Sequence, residues 1–366
     1  MVITVLFYIL VATTAIQLTY FLCFSSILFL KKENELKEEI PISVIICAKN
    51  EAQNLREYLP SIINQKYSNF EIVLINDASS DNTLEVMESF KKQHANIKIV
   101  NVKNNEAFWG NKKYALTLGI KAAKNEHLLF TDADCKPVSK FWAQSMVQKF
   151  SNGKTIVLGY GKYTTQKSFV NLLVRFETLL TAIQYFSYAK LGSPYMGVGR
   201  NLGYTKNEFF KTKGFISHIQ VKSGDDDLFI QEAATKLNTA ICLDENSYTT
   251  STPPITIKEW FRQKRRHVST SSFYKFKHQF FLGLYFLSKL LLYFLTILLF
   301  FFVSWKLITP IVFLYLTSLF VVIGLAAKRL QEKKLIYFLP ILEIFLLLFQ
   351  FTIFISNTFS KPTHWK

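Results

Sequence analysis

Apolar residues are concentrated at the two ends of the chain. Residues 2–30 form an uncharged apolar run, and comparable runs appear again only after Phe280. About 20 apolar residues span the hydrocarbon core of a bilayer, so the first run is long enough to cross it. It is too long for a cleaved signal peptide and lacks a basic n-region. The C-terminal part predicts three more spans, at 281–305, 307–327 and 335–356, although Lys289 and Glu343 lie inside two of them.

Basic residues beside these spans predict their orientation. After the first span come Lys31 and Lys32. Before the second span come 264–267, Lys275 and Lys277, and between the last two spans come Lys328, Arg329, Lys333 and Lys334. By the positive-inside rule all three places are cytoplasmic. We therefore expect a multi-pass protein of the plasma (inner) membrane, with both termini outside and the polar domain, about 40–280, in the cytoplasm.

The polar middle of the chain alternates between two periodicities. Short β-branched runs at 42–47, 72–75, 97–102 and 128–131 predict strands, and apolar spacings of three and four at 54–64, 83–92 and 112–124 predict helices between them. This βαβαβαβ order predicts an α/β fold with a mostly parallel sheet. Such sheets bind ligands at the carboxyl ends of their strands, so we look for chemistry there.

Composition narrows the classes of protein. Aromatic residues make up 16% of the 366, which excludes a disordered chain. The 43 basic and 26 acidic residues give a net charge of +17, which suits anionic lipid headgroups. No recognition motif accompanies the charge, so we expect no nucleic-acid partner. The four cysteines lack metal-ligand spacing, which predicts reduced thiols and no cysteine-based metal site.

Together these patterns predict four parts: a transmembrane helix at 1–30, an α/β domain at 31–252, an amphipathic interfacial segment at 253–280, and three transmembrane helices with a short tail at 281–366.

Polar residues follow the first two predicted strands. Asn50 and Glu51 could meet a nucleotide, or Asn50 could cap the next helix. Asp77 could accept from a base or a ribose, or close its own turn. The residues alone leave these alternatives open.

The fourth predicted strand ends in Asp132-Ala133-Asp134. Two carboxylates beyond a buried strand can hold a hard divalent cation, Mg²⁺ or Mn²⁺, whose shell is often completed by substrate phosphates. Asp-x-Asp is also a common turn sequence, so the motif needs its context.

Three adjacent carboxylates follow Gly224, just before a predicted helical run at 228–237. Like charges so close repel unless a cation neutralises them or one is protonated. The segment could be an acidic first helical turn, which the helix dipole favours. It could also supply a general base that removes a proton from an acceptor hydroxyl.

A basic, aromatic segment at 260–267 precedes the second span. Its position and composition are typical of an interfacial amphipathic helix. Its Arg and His donors could instead stabilise a departing diphosphate.

In this order and spacing, the motifs resemble those of membrane-bound family 2 glycosyltransferases, the inverting group with a GT-A (Rossmann-like) domain that includes cellulose, hyaluronan and ceramide-glucoside synthases. The resemblance covers about 43–267. It implies that Asn50, Glu51 and Asp77 contact the nucleotide of a sugar donor. It also implies that Asp134 binds the metal and that Asp132 touches the ribose or the metal.

The resemblance also implies a catalytic base. The segment 223–226 is similar to the family segment that holds it, and we favour Asp226, with Asp225 as the alternative. Residues 110–116, including Lys112, resemble the Gly-Lys-x-x-Ala-Leu segment near the sugar nucleotide. Residues 197–201, including Gly199 and Arg200, resemble the Gly-rich strand on the acceptor side.

The last motif departs from the family pattern. Gln263, Arg266 and His267 match Gln-x-x-Arg-Trp, with His in place of the Trp. The Trp is associated with acceptor stacking and with processive polymerases, so its loss weighs against chain elongation.

The resemblance therefore implies an enzyme that transfers a sugar from a nucleotide-sugar, with UDP favoured, to an acceptor used in envelope glycan or glycolipid synthesis. We favour a lipid or lipid-linked acceptor, because the domain is tethered on both sides. The alternative is a processive polysaccharide synthase, which with three C-terminal spans would need a homo-oligomer or an export partner. A transporter or a nucleotide-binding scaffold would need polar pathways in its spans, where only Lys289 and Glu343 qualify.

Overall fold

The computed structural model describes residues 1–30, 39–103 and 112–360. The chain divides into two units. The helical unit comprises Met1–Lys31, Lys167–Leu191 and Ile255–Thr363, and the α/β unit comprises Lys32–Gln166 and Gly192–Pro254.

The described residues form these α-helices, in chain order: α1 Val2–Ser25, α2 Ala52–Ile63, α3 Thr83–Gln93, α4 Lys112–Ala122, α5 Trp142–Val147, α6 Phe169–Lys190, α7 Lys206–Lys211, α8 Asp227–Ala233, α9 Ile257–Val268, α10 Phe276–Phe300, α11 Trp305–Arg329 and α12 Leu339–Phe359. The strands are β1 Ile42–Ala48, β2 Phe70–Asp77, β3 Ile97–Val102, β4 His127–Phe130, β5 Cys135–Pro137, β6 Ile156–Leu158, β7 Gly161–Tyr163, β8 Leu202–Thr205, β9 Thr239–Ile241 and β10 Thr249–Ser251.

The main sheet has seven strands in the order β3-β2-β1-β4-β8-β6-β9. β1 runs parallel to both β2 and β4, and only β8 runs antiparallel to its two neighbours. The mostly parallel α/β fold is thus confirmed. Strand order reverses around β1, so the carboxyl ends of β1, β2 and β4 open onto the crevice where such sheets bind ligands.

Helices pack on the central strands because those strands are apolar on both faces. Leu55 of α2 and Met87 of α3 join one buried cluster with Val44 of β1. α4 approaches β2 closely through Gly119, where an added Cβ would lie 2.1 Å from Ile75 Cδ1. Placing α4 this close puts its first residue, Lys112, at the ligand-binding edge.

A second sheet of three short strands has the order β5-β10-β7. Ser251 of β10 pairs with Cys135 of β5 on one side and with Tyr163 of β7 on the other. These three residues form one row across the small sheet, which begins directly after Asp134.

Among the described residues, the helical unit contains four helices long and apolar enough to cross a membrane: Val2–Phe29, Phe276–Phe300, Trp305–Arg329 and Lys333–Phe359. These helices correspond to the four predicted spans, with α10 beginning at Phe276 rather than at 281. The protein is thus a membrane protein. In the apolar core of this unit, Lys289 donates to Glu343 at 2.5 Å, and the hydroxyls of Tyr293 and Tyr315 also donate to Glu343. The two intramembrane charges satisfy each other.

α6 was not singled out from the sequence, yet it belongs to the helical unit. Its interior carries Arg175, which forms a buried ion pair with Glu332, and Glu177, which pairs with Lys264 at 2.6 Å. Both partners lie far away in the chain, so the charges obscured the helix in the sequence pattern.

The predicted helical run at 228–237 was too long, because α8 ends at Ala233. The Asn238 side chain accepts from Thr235 N at 2.8 Å and donates to Ala233 O at 2.9 Å. This side chain bonds the backbone in place of the next helical turn.

Candidate active site

The loops after β1 and β2 are joined by hydrogen bonds. Asn50 N donates to Ser79 Oγ at 3.0 Å, and the Asn50 side chain accepts from Ser80 N at 2.8 Å. Glu51 N donates to Thr83 Oγ1 at 2.9 Å. Asn50 has a φ of 57°, which Asn tolerates better than most residues. The helix-cap alternative for Asn50 was wrong: its side chain binds the neighbouring loop, and α2 has Glu51 at its N-cap position.

Asp77 ends β2 and is 3% exposed. Its turn is closed by Asn76 instead, whose Oδ1 accepts from Ser79 N. Burial raises the pKa of the Asp77 carboxyl, opposed by the charges of Lys49 and Lys112. Within the described part of the chain no hydrogen bond to this carboxylate is formed.

Asp132, Asp134 and Cys135 form a candidate metal cluster in the turn after β4. One ligand atom from each lies within 4.8 Å of the others. Burial and the neighbouring charge of Asp132 raise the pKa of Asp134. A bound cation would relieve the repulsion between the two carboxylates. Thr131 Oγ1, just before the pair, is buried and has no hydrogen-bond partner among the described residues.

This donor set fits a hard cation. Burial and the charges of Asp134 and Asp132 raise the pKa of the Cys135 thiol, so it stays protonated and donates to Asp134 Oδ1 at 3.3 Å. A neutral thiol is a poor metal ligand. The carboxylates are therefore the useful donors, and oxygen donors suit Mg²⁺ or Mn²⁺.

Lys112 connects the metal cluster with the acidic loop, which comprises residues 224–227. Its Nζ lies 3.1 Å from Asp132 Oδ1 and 3.0 Å from Asp225 Oδ2. Burial would lower the pKa of Lys112, but the two carboxylates outweigh it and the pKa rises, so the side chain stays charged. Residues 110 and 111 of the predicted Gly-Asn-Lys segment lie outside the described residues.

The two candidate bases differ in their surroundings. Burial would raise the pKa of Asp225, but the Lys112 ammonium outweighs burial and lowers it. Burial and the charges of Asp225 and Asp227 raise the pKa of Asp226 to about 7. A base with a pKa near the working pH can both take and release a proton, which favours Asp226 for that role.

Local backbone geometry holds Asp226 in place. Its Oδ2 accepts from Gly199 N and its Oδ1 from Asp227 N, both at 2.8 Å, so the side chain caps α8. Gly224 has a φ of 88°, and a Cβ there would lie 2.7 Å from Leu228. Only glycine fits this sharp turn, which presents two successive carboxylates to the crevice.

Lys113 and His218 were missed in the sequence. Lys113 is 1% exposed, and its Nζ lies 2.8 Å from His218 Nδ1 and donates to His218 O at 2.7 Å and Val221 O at 3.0 Å. Burial lowers the pKa of Lys113 to about 8 and, with the charge of Lys113, that of His218 to about 4. Lys112 thus binds the acidic loop, and Lys113 binds the segment just before it. The doublet was visible in the sequence, but its partners were not.

Gly199 and Arg200 lie just before β8. The next residue, Asn201, is fully buried, donates to Tyr160 O and Ser247 O, and accepts from Trp142 Nε1. These bonds hold the segment that presents the Gly199 amide to Asp226.

A crevice collects these groups. It is lined by residues of β1, α4, β4, β8 and the acidic loop, among them Lys112, Asp132, Gly199, Asp225 and Asp226. Five of the predicted site residues are therefore brought together in the α/β unit.

Gln263, Arg266 and His267 lie on α9, in the helical unit. α9 starts with a capping box between Thr256 and Glu259. Trp260 stacks on Phe349 of α12 with ring centroids 3.7 Å apart. α9 is thus a basic helix within the segment predicted at 253–280.

The chain is similar to known glycosyltransferases. The family model described as Glycosyl transferase family 2 matches residues 43–210. A poly-beta-1,6-N-acetyl-D-glucosamine synthase of Staphylococcus epidermidis is 37% identical over 111 residues, which is 30% of this chain and 25% of that protein. A Haemophilus influenzae protein described as a glycosyltransferase is 33% identical over 146 residues, 39% of this chain and 41% of that protein. The chain thus spans less than half the length of these relatives.

The fold is similar to that of a solved structure, the mannosyltransferase PcManGT from Pyrobaculum calidifontis in complex with GDP-Man and Mn²⁺. The TM-score is 0.59 at 16% sequence identity, over 93% of this chain and 99% of that one. At that identity the likeness concerns the fold alone.

Proposed function

We propose that this membrane protein is an inverting glycosyltransferase, because residues 43–210 match the family model described as Glycosyl transferase family 2. It moves a sugar from a nucleotide-sugar, with UDP favoured, to a lipid or lipid-linked acceptor used in envelope glycan or glycolipid synthesis. The single observation that carries the proposal is the junction made by Lys112, which pairs with Asp132 of the candidate metal cluster and with Asp225 beside Asp226.

The reaction is a single displacement. The acceptor hydroxyl gives its proton to Asp226 and attacks the anomeric carbon, while the bond from that carbon to the diphosphate oxygen breaks. Asp226 suits this step because its pKa, raised to about 7, matches a neutral working pH. Asp225, held ionised by Lys112, keeps a second charge beside it without competing for the proton.

Asp134 and Asp132 would hold the divalent cation, which supplies positive charge to the departing diphosphate when bound. Asn50, Glu51 and Asp77 form the nucleotide side, supported by the joined loops after β1 and β2.

The motif on α9 is proposed to bind the diphosphate. Arg266 and His267 supply cationic donors for it, with Gln263 one turn earlier on the same helix. What supports the role is the resemblance to Gln-x-x-Arg-Trp and the basic character of this helix. Its His in place of Trp supports single transfer over chain elongation.

The domain boundaries and orientation complete the proposal. We assign 1–30 as a transmembrane helix, 31–252 as the catalytic domain, 253–280 as the interfacial segment and 281–366 as the C-terminal spans. The basic residues beside the spans support a cytoplasmic catalytic domain in the plasma (inner) membrane. Accessibility of a tag in the α/β unit from the outer face would contradict this orientation.

The test uses detergent-purified protein with Mn²⁺ or Mg²⁺, a panel of radiolabelled UDP- and GDP-sugars and total membrane lipid, followed by organic extraction. Label in the organic phase that needs metal and is lost in Asp134→Ala supports the proposal and identifies the donor. Inverted anomeric configuration in the product is expected, and retention would refute the single displacement.

The same experiment distinguishes the second candidate, a processive polysaccharide synthase, which the activity of the similar Staphylococcus epidermidis protein favours. Label in a water-soluble or insoluble polymer, with a ladder of product lengths, would support it. No transfer from any donor would count against both.

A further inference from the structure

Arg200 lies on a prepared surface beside the metal cluster. Its Nη1 donates to Ser251 Oγ at 3.0 Å, and its guanidinium carbon lies 4.4 Å from the ring centroid of Tyr163. Ser251, Tyr163 and Cys135 form the in-register row across the small sheet. The guanidinium therefore lies on the Tyr163 and Ser251 part of this row, whose third member, Cys135, directly follows Asp134.

The backbone of Arg200 is held as firmly as its side chain. Thr249 Oγ1 donates to Arg200 O at 3.0 Å, and Asn201 is fully buried with three hydrogen bonds. Little conformational freedom is left to lose, so this arginine is already ordered for binding.

The charge of Arg200 is not neutralised by a close partner. Among residues 1–30, 39–103 and 112–360, no carboxylate lies within 4.0 Å of the guanidinium, and the Ser251 bond uses one of its five N–H donors. Asp134 and Asp132 act on it through space only. A half-buried guanidinium with unused donors, beside a site for a divalent cation, is suited to an anionic oxygen of a ligand.

We propose that Arg200 binds a phosphate or diphosphate group of a substrate, next to the cation held by Asp132 and Asp134. The inference rests on the proposed function and adds an anionic subsite on the small sheet. Two substrates can carry this group: the nucleotide-sugar donor, or an acceptor whose lipid is joined through phosphate. In either case the planar fork of Arg200 bonds two oxygens at once.

The test compares Arg200→Gln and Arg200→Lys with the control Lys136→Gln, in full-length protein. Lys136 is exposed on β5, so the control removes one positive charge from the same sheet. Titration calorimetry with UDP, GDP and the corresponding nucleosides, with and without Mn²⁺, is combined with donor and acceptor KM values. Thermal unfolding in detergent checks that each variant folds.

If the group belongs to the donor, Arg200→Gln weakens nucleoside diphosphate binding by tenfold or more, with and without Mn²⁺, and leaves nucleoside binding unchanged. If it belongs to the acceptor, diphosphate binding stays unchanged and the acceptor KM rises tenfold or more for a phosphate-linked lipid only. In both cases Arg200→Lys recovers part of the loss, and Lys136→Gln behaves as wild type.

Wild-type values for folded Arg200→Gln in both assays would overturn the inference while leaving the glycosyltransferase proposal intact. If Arg200→Gln fails to fold, Arg200→Lys decides: unchanged diphosphate affinity and acceptor KM overturn the inference. Absence of both binding and transfer in the wild-type protein would overturn the proposed function, and the inference with it.

Discussion

Replacing Asp226 by Asn tests the assignment of the catalytic base. The amide cannot take up a proton, but its oxygen can still accept one of the two backbone N–H bonds, from Gly199 or Asp227, that hold the carboxylate now. The fold around the acidic loop is therefore expected to survive. General-base catalysis contributes about 10²–10⁴-fold, so kcat should fall by that factor, or about 3–5 kcal/mol in the barrier. Donor KM should change little.

The pH dependence carries the second half of this prediction. Asp226 is raised to a pKa of about 7, and only its ionised form takes a proton. Activity of the wild-type protein should rise about tenfold per pH unit below pH 7 and level off above it. This rise of activity with pH should disappear in Asp226→Asn. Initial rates from pH 5 to pH 9 with saturating donor measure it.

Asp227→Asn is the matched control. It makes the same change one residue further on, at a side chain that caps Leu228 N at 2.8 Å. Its plateau activity should stay within about threefold of wild type, since it makes no proton transfer. The rise of activity with pH should move to lower pH, because one of the charges that raise the pKa of Asp226 is gone. The reasoning is refuted if Asp226→Asn keeps near-full activity, and the base is then Asp225 if Asp225→Asn alone is inactive.

Three further predictions concern the metal, the acidic loop and the membrane core. Asp134→Asn should lose the Mn²⁺-dependent part of nucleoside diphosphate binding in calorimetry, and an unchanged metal effect would contradict the assignment. Lys113→Met leaves the acceptors of His218 without their donor, so the free energy of unfolding, measured by thermal unfolding, should fall by about 1–3 kcal/mol. The kcat should also fall, and Lys113→Arg should partly restore it. An unchanged kcat in the destabilised variant would exclude a positioning role for Lys113. Glu343→Gln should lower the free energy of unfolding in detergent by about 3–5 kcal/mol, because Lys289 is left as an uncompensated buried charge. Adding Lys289→Met should recover most of this stability. A Glu343→Gln variant as stable as wild type would contradict the pairing.

Local patterns were sufficient for several elements. The predicted strands at 42–47 and 97–102 agree closely with β1 and β3, and the four apolar runs correspond to the four described helices that are long and apolar enough to cross a membrane. Periodicity is a property of neighbouring residues, so the sequence carries it directly. The end of α8 was wrong because an Asn238 side chain, which no periodicity reveals, bonds the backbone there.

Long-range pairing was beyond the sequence. α6 was missed because its charges are satisfied by Glu332 and Lys264, far away in the chain. Lys113 was missed because its partner, His218, lies 105 positions away. In each case a charge looks like a solvated surface until its partner is placed beside it.

The sequence by itself determined the α/β domain between apolar spans and the set of carboxylates at the strand ends, because both follow from local pattern and strand order. It could not separate Asp225 from Asp226, since adjacent residues of the same type have the same local pattern. Only the tertiary structure distinguishes their surroundings, by placing Lys112 against Asp225 and the Gly199 amide against Asp226. A pKa is set by burial and by the charges nearby in space, and those come from residues that the chain brings together only on folding.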